Sequence, residues 1–140
     1  ELLQLIAYCV SLSAGCRYCQ AHTGHNTERA SPASAQQVER LAQVLNYETA
    51  ECFTRAERAA IGLALAAGQV PNACDGDHFS LLREHYSERQ QVQIVAVSSL
   101  FGFLNRWNDT LATTLEQTPT DFAQEHLLGG GWQLSKHAAE

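Results

Sequence analysis

The chain has 140 residues, 45% hydrophobic and 17% charged, enough for one domain with a real core and too apolar for intrinsic disorder. A formal charge of −6, with Lys136 the single lysine and the eight arginines scattered, excludes a basic stripe for nucleic acid or an anionic membrane surface. No apolar run reaches the roughly 20 residues that cross a bilayer and no signal-peptide pattern is present, so a cytoplasmic chain is expected.

In chain order the predicted elements are all helices. Residues 1–13, ELLQLIAYCVSLS, place Leu2, Leu5, Ile6 and Cys9 on one face. The Ser13-Ala14-Gly15 break ends that helix, and a second is expected to start near Cys16. Ser31-Pro32 reads as a cap with a first-turn proline. Val38, Leu41, Ala42 and Leu45 then recur at i, i+3, i+4, i+7, the spacing of an amphipathic helix. Thr54 with Glu57 matches a capping box before the run AAIGLALAA, which Gly68 and Pro71 end. Residues 68–78 read as loop. Ser87 with Gln90 is a second capping box, opening the longest helix, expected to reach about residue 116. Its apolar face takes in Val97, Leu100, Phe101, Leu104, Trp107, Leu111 and Leu115. On it, Asn105, Arg106, Asn108 and Asp109 read as a buried Arg–Asp arrangement satisfying internal helix ends. Thr118-Pro119 starts a short last helix, and GGG at 129–131 is a turn before a tail. No segment alternates apolar and polar residues, so no sheet is expected. The prediction is one compact all-α bundle over residues 1–140, with broad apolar faces that favour a homo-oligomer. Without any methionine, Glu1 is expected not to be the native start, with a segment preceding it.

Chemistry concentrates in GCRYCQAHTGH at 15–25. Five cysteines, an odd number, do not read as a secreted disulfide scaffold, and Cys9, Cys52 and Cys74 read as small buried side chains. Cys16 and Cys19 are three apart, nearly one above the other on a helix. In a first turn the free backbone N–H groups and the positive dipole end favour a thiolate, which is the nucleophile. His22 is i+3 from Cys19 and within reach of its sulfur as a base. His25 lies one turn further, and Tyr18 can donate a hydrogen bond or pack. Zinc is a second reading of CxxCxxHxxH, but four ligands fanned over half of one helix cannot surround an ion tetrahedrally, so no metal and no cofactor is expected. His78, His85, His126 and His137 read as isolated surface histidines.

VSLSAGCRYCQAHT resembles the redox motif of the alkylhydroperoxidase D-like proteins, within the carboxymuconolactone decarboxylase superfamily. FTRAERAAIGLA at 53–64, HYSERQQVQIVAVSSLFGFLNRWNDTL at 85–111 and GGWQLSKH at 130–137 resemble its peroxidase-related branch. The resemblance implies an all-α fold assembling into dimers, trimers or hexamers, and a peroxidase reducing hydroperoxides. It implies that Cys19 attacks peroxide and Cys16 resolves the sulfenic acid to a disulfide. A dithiol partner, a lipoyl-bearing or thioredoxin-like protein, would then regenerate the pair. The family's relay glutamate, twelve residues before the first cysteine, is Gln4 here, with Glu1 one turn earlier as a substitute. The family's histidine four after the second cysteine is Thr23, a histidine within some members' CxxC is Tyr18, and the usual asparagine two before the first cysteine is Ala14. Other readings are a non-catalytic oligomeric domain that senses oxidation and, last, a carboxymuconolactone decarboxylase-type enzyme, a branch that does not depend on a CxxC.

Overall fold

Capping side chains and short breaks divide the chain into seven α-helices in the computed structural model, which describes residues 1–30 and 34–139. α1 runs Leu2–Ser13, α2 Arg17–Arg29, α3 Ser34–Gln43 and α4 Arg55–Ala67. α5 is Gly76–His85, α6 Glu88–Leu111 and α7 Gln117–His126. Among the described residues there is no strand. The cap expected at Ser31-Pro32 lies outside them.

α1 is the central element. Leu5 through Val10 are all buried, and the helix packs on α2, α4 and α6. Gly15, at φ +74°, takes the left-handed conformation that lets the chain reverse directly into α2. Gln20, 2% exposed, donates to the Ser11 carbonyl and ties α2 back to α1, and the Ser13 hydroxyl donates to the Leu65 carbonyl and ties α1 to α4. Both expected capping boxes form: Thr54 with Glu57 opens α4, and Ser87 with Gln90 opens α6. α7 packs against α2 so closely that a Cβ on Gly24 would stand 2.8 Å from Phe122 Cε1.

Several expectations are corrected. α3 gives way to a 3-10 turn at Val44–Asn46, which tightens the spacing to i+3. Val44 is buried instead, and Leu45 is 67% exposed. The last three residues of the segment read as loop are the start of α5, capped by Asp75 accepting from the Asp77 and His78 backbone N–H groups. The longest helix stops at Leu111, where Ala112 turns left-handed at φ 50°, so Leu115 reaches the core from a loop. Arg106 is exposed and forms no buried pair with Asp109, while Asn105 is buried with no partner for either amide atom among the described residues. The C-terminal stretch is no free tail: Trp132 is 3% exposed and His137 is fully buried, against the expectation of a surface histidine.

Candidate functional site

The CxxC pair sits where α2 begins. Cys16 is the N-cap residue, with extended backbone, and its Sγ accepts the Cys19 backbone N–H at 3.3 Å. That bond satisfies one of the free donors of the first turn with sulfur in place of the usual oxygen. Both thiols are reduced and nearly without exposed surface, at 0% for Cys16 and 4% for Cys19. The Cys19 side chain also donates toward Cys16, which, with its backbone N–H and the Lys136 ammonium, holds the Cys16 thiol below the ordinary range against burial and the Asp109 carboxylate. Cys19 is pushed the other way, by its bond to Cys16, by burial and by the neighbouring charge, with only the Asn108 amide pulling it down. The pair therefore holds its first negative charge on Cys16.

Asn108 reaches Cys19 from α6: its Nδ2 lies 3.7 Å from Sγ and also donates to the Leu104 carbonyl at 3.0 Å. The Thr113 hydroxyl donates to Asn108 Oδ1 and orients the amide. The C-terminal segment closes the other side. Trp132 Nε1–H donates to the Arg17 carbonyl at 2.9 Å, pinning the first turn of α2. His137 Nδ1–H donates to the Thr113 carbonyl at 2.8 Å, which fixes its tautomer. Its buried Nε2 is left 3.8 Å from Asp109, whose carboxylate meets Lys136 Nζ at 3.0 Å.

His22 is not aimed at a sulfur by any hydrogen bond. Its Nε2 is held at 2.8 Å by Glu116, the residue that precedes α7. The same carboxylate accepts the Tyr18 hydroxyl at 3.3 Å, and the Tyr18 and His22 rings lie 4.5 Å apart. Burial pushes the Glu116 carboxyl up, but its own backbone N–H, His22 and Tyr18 outweigh that and hold it low. His25 points elsewhere, its ring 5.7 Å from Phe122. Among the described residues neither Glu1 nor Gln4 makes a side-chain hydrogen bond, and Thr23 spends its hydroxyl on the Cys19 carbonyl. No group of three or more His, Cys, Asp or Glu is placed to hold a metal ion among the described residues. The sequence reading missed Glu116 and His137, which lie about a hundred residues from the motif with no local signal.

No family model matches the chain, and no curated protein matches it. Three solved structures do. The debrominase Bmp8 superposes at TM-score 0.80 with 33% identity over 89% of this chain, and a cysteine-to-alanine variant of it bound to 2,3,4-tribromopyrrole at 0.81 with 32%. An Agrobacterium tumefaciens protein of unknown function, described as a candidate antioxidant defence protein AhpD, superposes at 0.72 with 19% identity, covering 83% of this chain and 77% of that one. This chain has an alkylhydroperoxidase D-like fold. The chain spans 65% of the length of the debrominase chain. Among the described residues, no helix is long and apolar enough to cross a membrane.

Proposed function

We propose that this chain is a thiol peroxidase, a cytoplasmic oxidoreductase that spends the two electrons of the Cys16–Cys19 dithiol on a hydroperoxide. The observation that carries the reading is the Cys16 sulfur at the α2 N-cap, accepting the Cys19 backbone N–H. In the first step the Cys16 thiolate attacks the outer peroxide oxygen; the O–O bond breaks, an alcohol leaves after taking a proton, and Cys16 becomes a sulfenic acid. In the second, Cys19 attacks that sulfur, the S–O bond breaks, water leaves and the disulfide forms. This assignment reverses the roles implied by the family resemblance, because the charge rests on Cys16. Tyr18, with its hydroxyl on Glu116, supplies the leaving oxygen's proton, and His22 holds Glu116 in place. A lipoyl-bearing or thioredoxin-like dithiol restores the pair by exchange. The working form is a homo-oligomer and needs no cofactor.

The test is hydroperoxide consumption with cumene hydroperoxide and a dithiol, in a Cys52→Ser background. Cys16→Ser and Cys19→Ser should both lose turnover, and a sulfenic acid trapped with dimedone should persist only in Cys19→Ser. Equal consumption by Cys16→Ser and the parent would reject the proposal.

A second reading rests on the 33% identity with a debrominase. The same dithiol can reduce a bromo-heteroaromatic ring: carbon–bromine becomes carbon–hydrogen, bromide and a proton leave, and the disulfide forms. Bromide release from a brominated pyrrole, without hydroperoxide consumption, would favour it.

A further inference from the structure

Asn108 has every polar atom of its side chain committed. Its Nδ2 donates to the Leu104 carbonyl at 3.0 Å and lies 3.7 Å from Cys19 Sγ, and its Oδ1 accepts the Thr113 hydroxyl at 3.0 Å. A flipped amide would set Oδ1 against the Leu104 carbonyl, two acceptors face to face, so an N–H must point at the sulfur. Thr113 grips the same residue a second time, its backbone N–H donating to the Asn108 carbonyl at 3.1 Å. The Thr113 carbonyl accepts His137 Nδ1–H at 2.8 Å, and the Leu115 N–H donates to the His137 carbonyl at 2.9 Å. Each half of this clasp carries a non-glycine residue in the left-handed region: Ala112 at φ 50°, beside Thr113, and Ser135 at φ 52°, two residues before His137. Such backbone is costly for any residue with a Cβ, and it persists where the surroundings impose it, most often at working sites.

We propose that Asn108 is a catalytic residue of disulfide closure: its amide N–H holds the Cys19 sulfur while that thiol gives up its proton, and Thr113 and His137 position the amide. The role rests on the dithiol chemistry proposed above. Once Cys16 is a sulfenic acid, the Cys19 sulfur attacks the Cys16 sulfur. The S–S bond forms, the S–O bond breaks, and the Cys19 proton leaves with the hydroxide as water. Cys19 is oxidised and Cys16 reduced to the common disulfide level. The attacking form is a thiolate, a far better acceptor than a thiol. A fixed donor therefore stabilises the charge that develops on the sulfur more than it stabilises the resting thiol. Cys16, Tyr18 and, from α6, Asp109 are all anionic when ionised, and together with burial they oppose a thiolate on Cys19, whereas the Asn108 amide favours it.

The experiment is single-turnover oxidation of the full chain in a Cys52→Ser background, with loss of cumene hydroperoxide and formation of the disulfide followed together. Asn108→Leu, of similar size, should slow disulfide formation about tenfold more than peroxide loss, and sulfenic and then sulfinic acid should accumulate on Cys16. Thr113→Val keeps the amide but frees it to turn, and should show the same split at about threefold. A further measurement needs no peroxide. In Cys16→Ser, where serine still caps α2, the pH midpoint of Cys19 alkylation, read by peptide mapping, should rise by about one unit when Asn108→Leu is added. Equal slowing of both steps, or a midpoint that stays put, would overturn the role of Asn108. A parent that leaves hydroperoxide untouched while the midpoint still moves would reject the peroxidase reading and uphold Asn108 as the group that readies Cys19.

Discussion

Cys16 and Cys19 are the same side chain three residues apart, yet their surroundings set them in opposite directions. Cys16 gains a backbone donor at the helix start, which lowers it, whereas burial and the neighbouring Cys16 raise Cys19. Alkylation of Cys16 followed by peptide mapping should therefore show a pH midpoint below the roughly 8.5 of a free thiol, while Cys19 stays unreactive until well above it. A reversed order would remove the assignment of Cys16 as nucleophile. Glu116 is the second residue whose behaviour follows from its contacts. In His22→Ala the carboxyl loses a hydrogen-bond partner that helps hold it low, and its titration, followed by carbon NMR, should move up toward the ordinary glutamate value. The cysteine pair is legible in the sequence because its members are neighbours on one helix. The partner of His22 is not, because 94 residues separate it from Glu116 and only the packing of α7 on α2 joins them.

Helix starts were readable where a capping box announces them, and α4 and α6 begin as expected. α5 was not, because its first residue is Gly76 and its cap is completed by His78, an uncommon partner for Asp75. The end of α3 departs from its expected register for a different reason: a 3.6-residue period cannot foresee a turn that tightens to three. Burial alone would raise the Glu57 carboxyl, but the Thr54 backbone N–H and hydroxyl and the Arg40 guanidinium outweigh it and hold it low. A lowered folded pKa gives stability that is full above the unfolded carboxylate value and is lost as pH falls through the folded one. Glu57→Gln should thus cost about 1 kcal/mol near neutrality, and urea midpoints should show it losing less than the parent between about pH 5 and pH 3. Gly24→Ala gains about 1 kcal/mol of helix propensity but drives a methyl into Phe122, an overpacking cost of about 1–3 kcal/mol. Net destabilisation in chemical denaturation is expected, and Phe122→Leu in the same chain should recover part of it.

For the molecule as a whole, the all-α prediction held because the pattern of apolar spacing, caps and breaks agrees along its length. The closing of residues 132–137 over the site escaped notice, since GGG reads as a flexible turn and nothing local reveals that Trp132 will reach the Arg17 carbonyl. Trp132→Phe should cost about 1 kcal/mol by removing that bond and should speed amide exchange in the first turn of α2. Burial of the two site sulfurs, finally, makes the protein a sieve for reagents. Cys9 is fully enclosed, as expected, and driven far above the usual thiol range, whereas, against the expectation of buried side chains, Cys74 is half covered and Cys52 stands in the open. A bulky aromatic disulfide should find one quick thiol, at Cys52, on the native protein, while hydrogen peroxide slips through to the pair. Girth, before chemistry, decides which oxidants this chain notices.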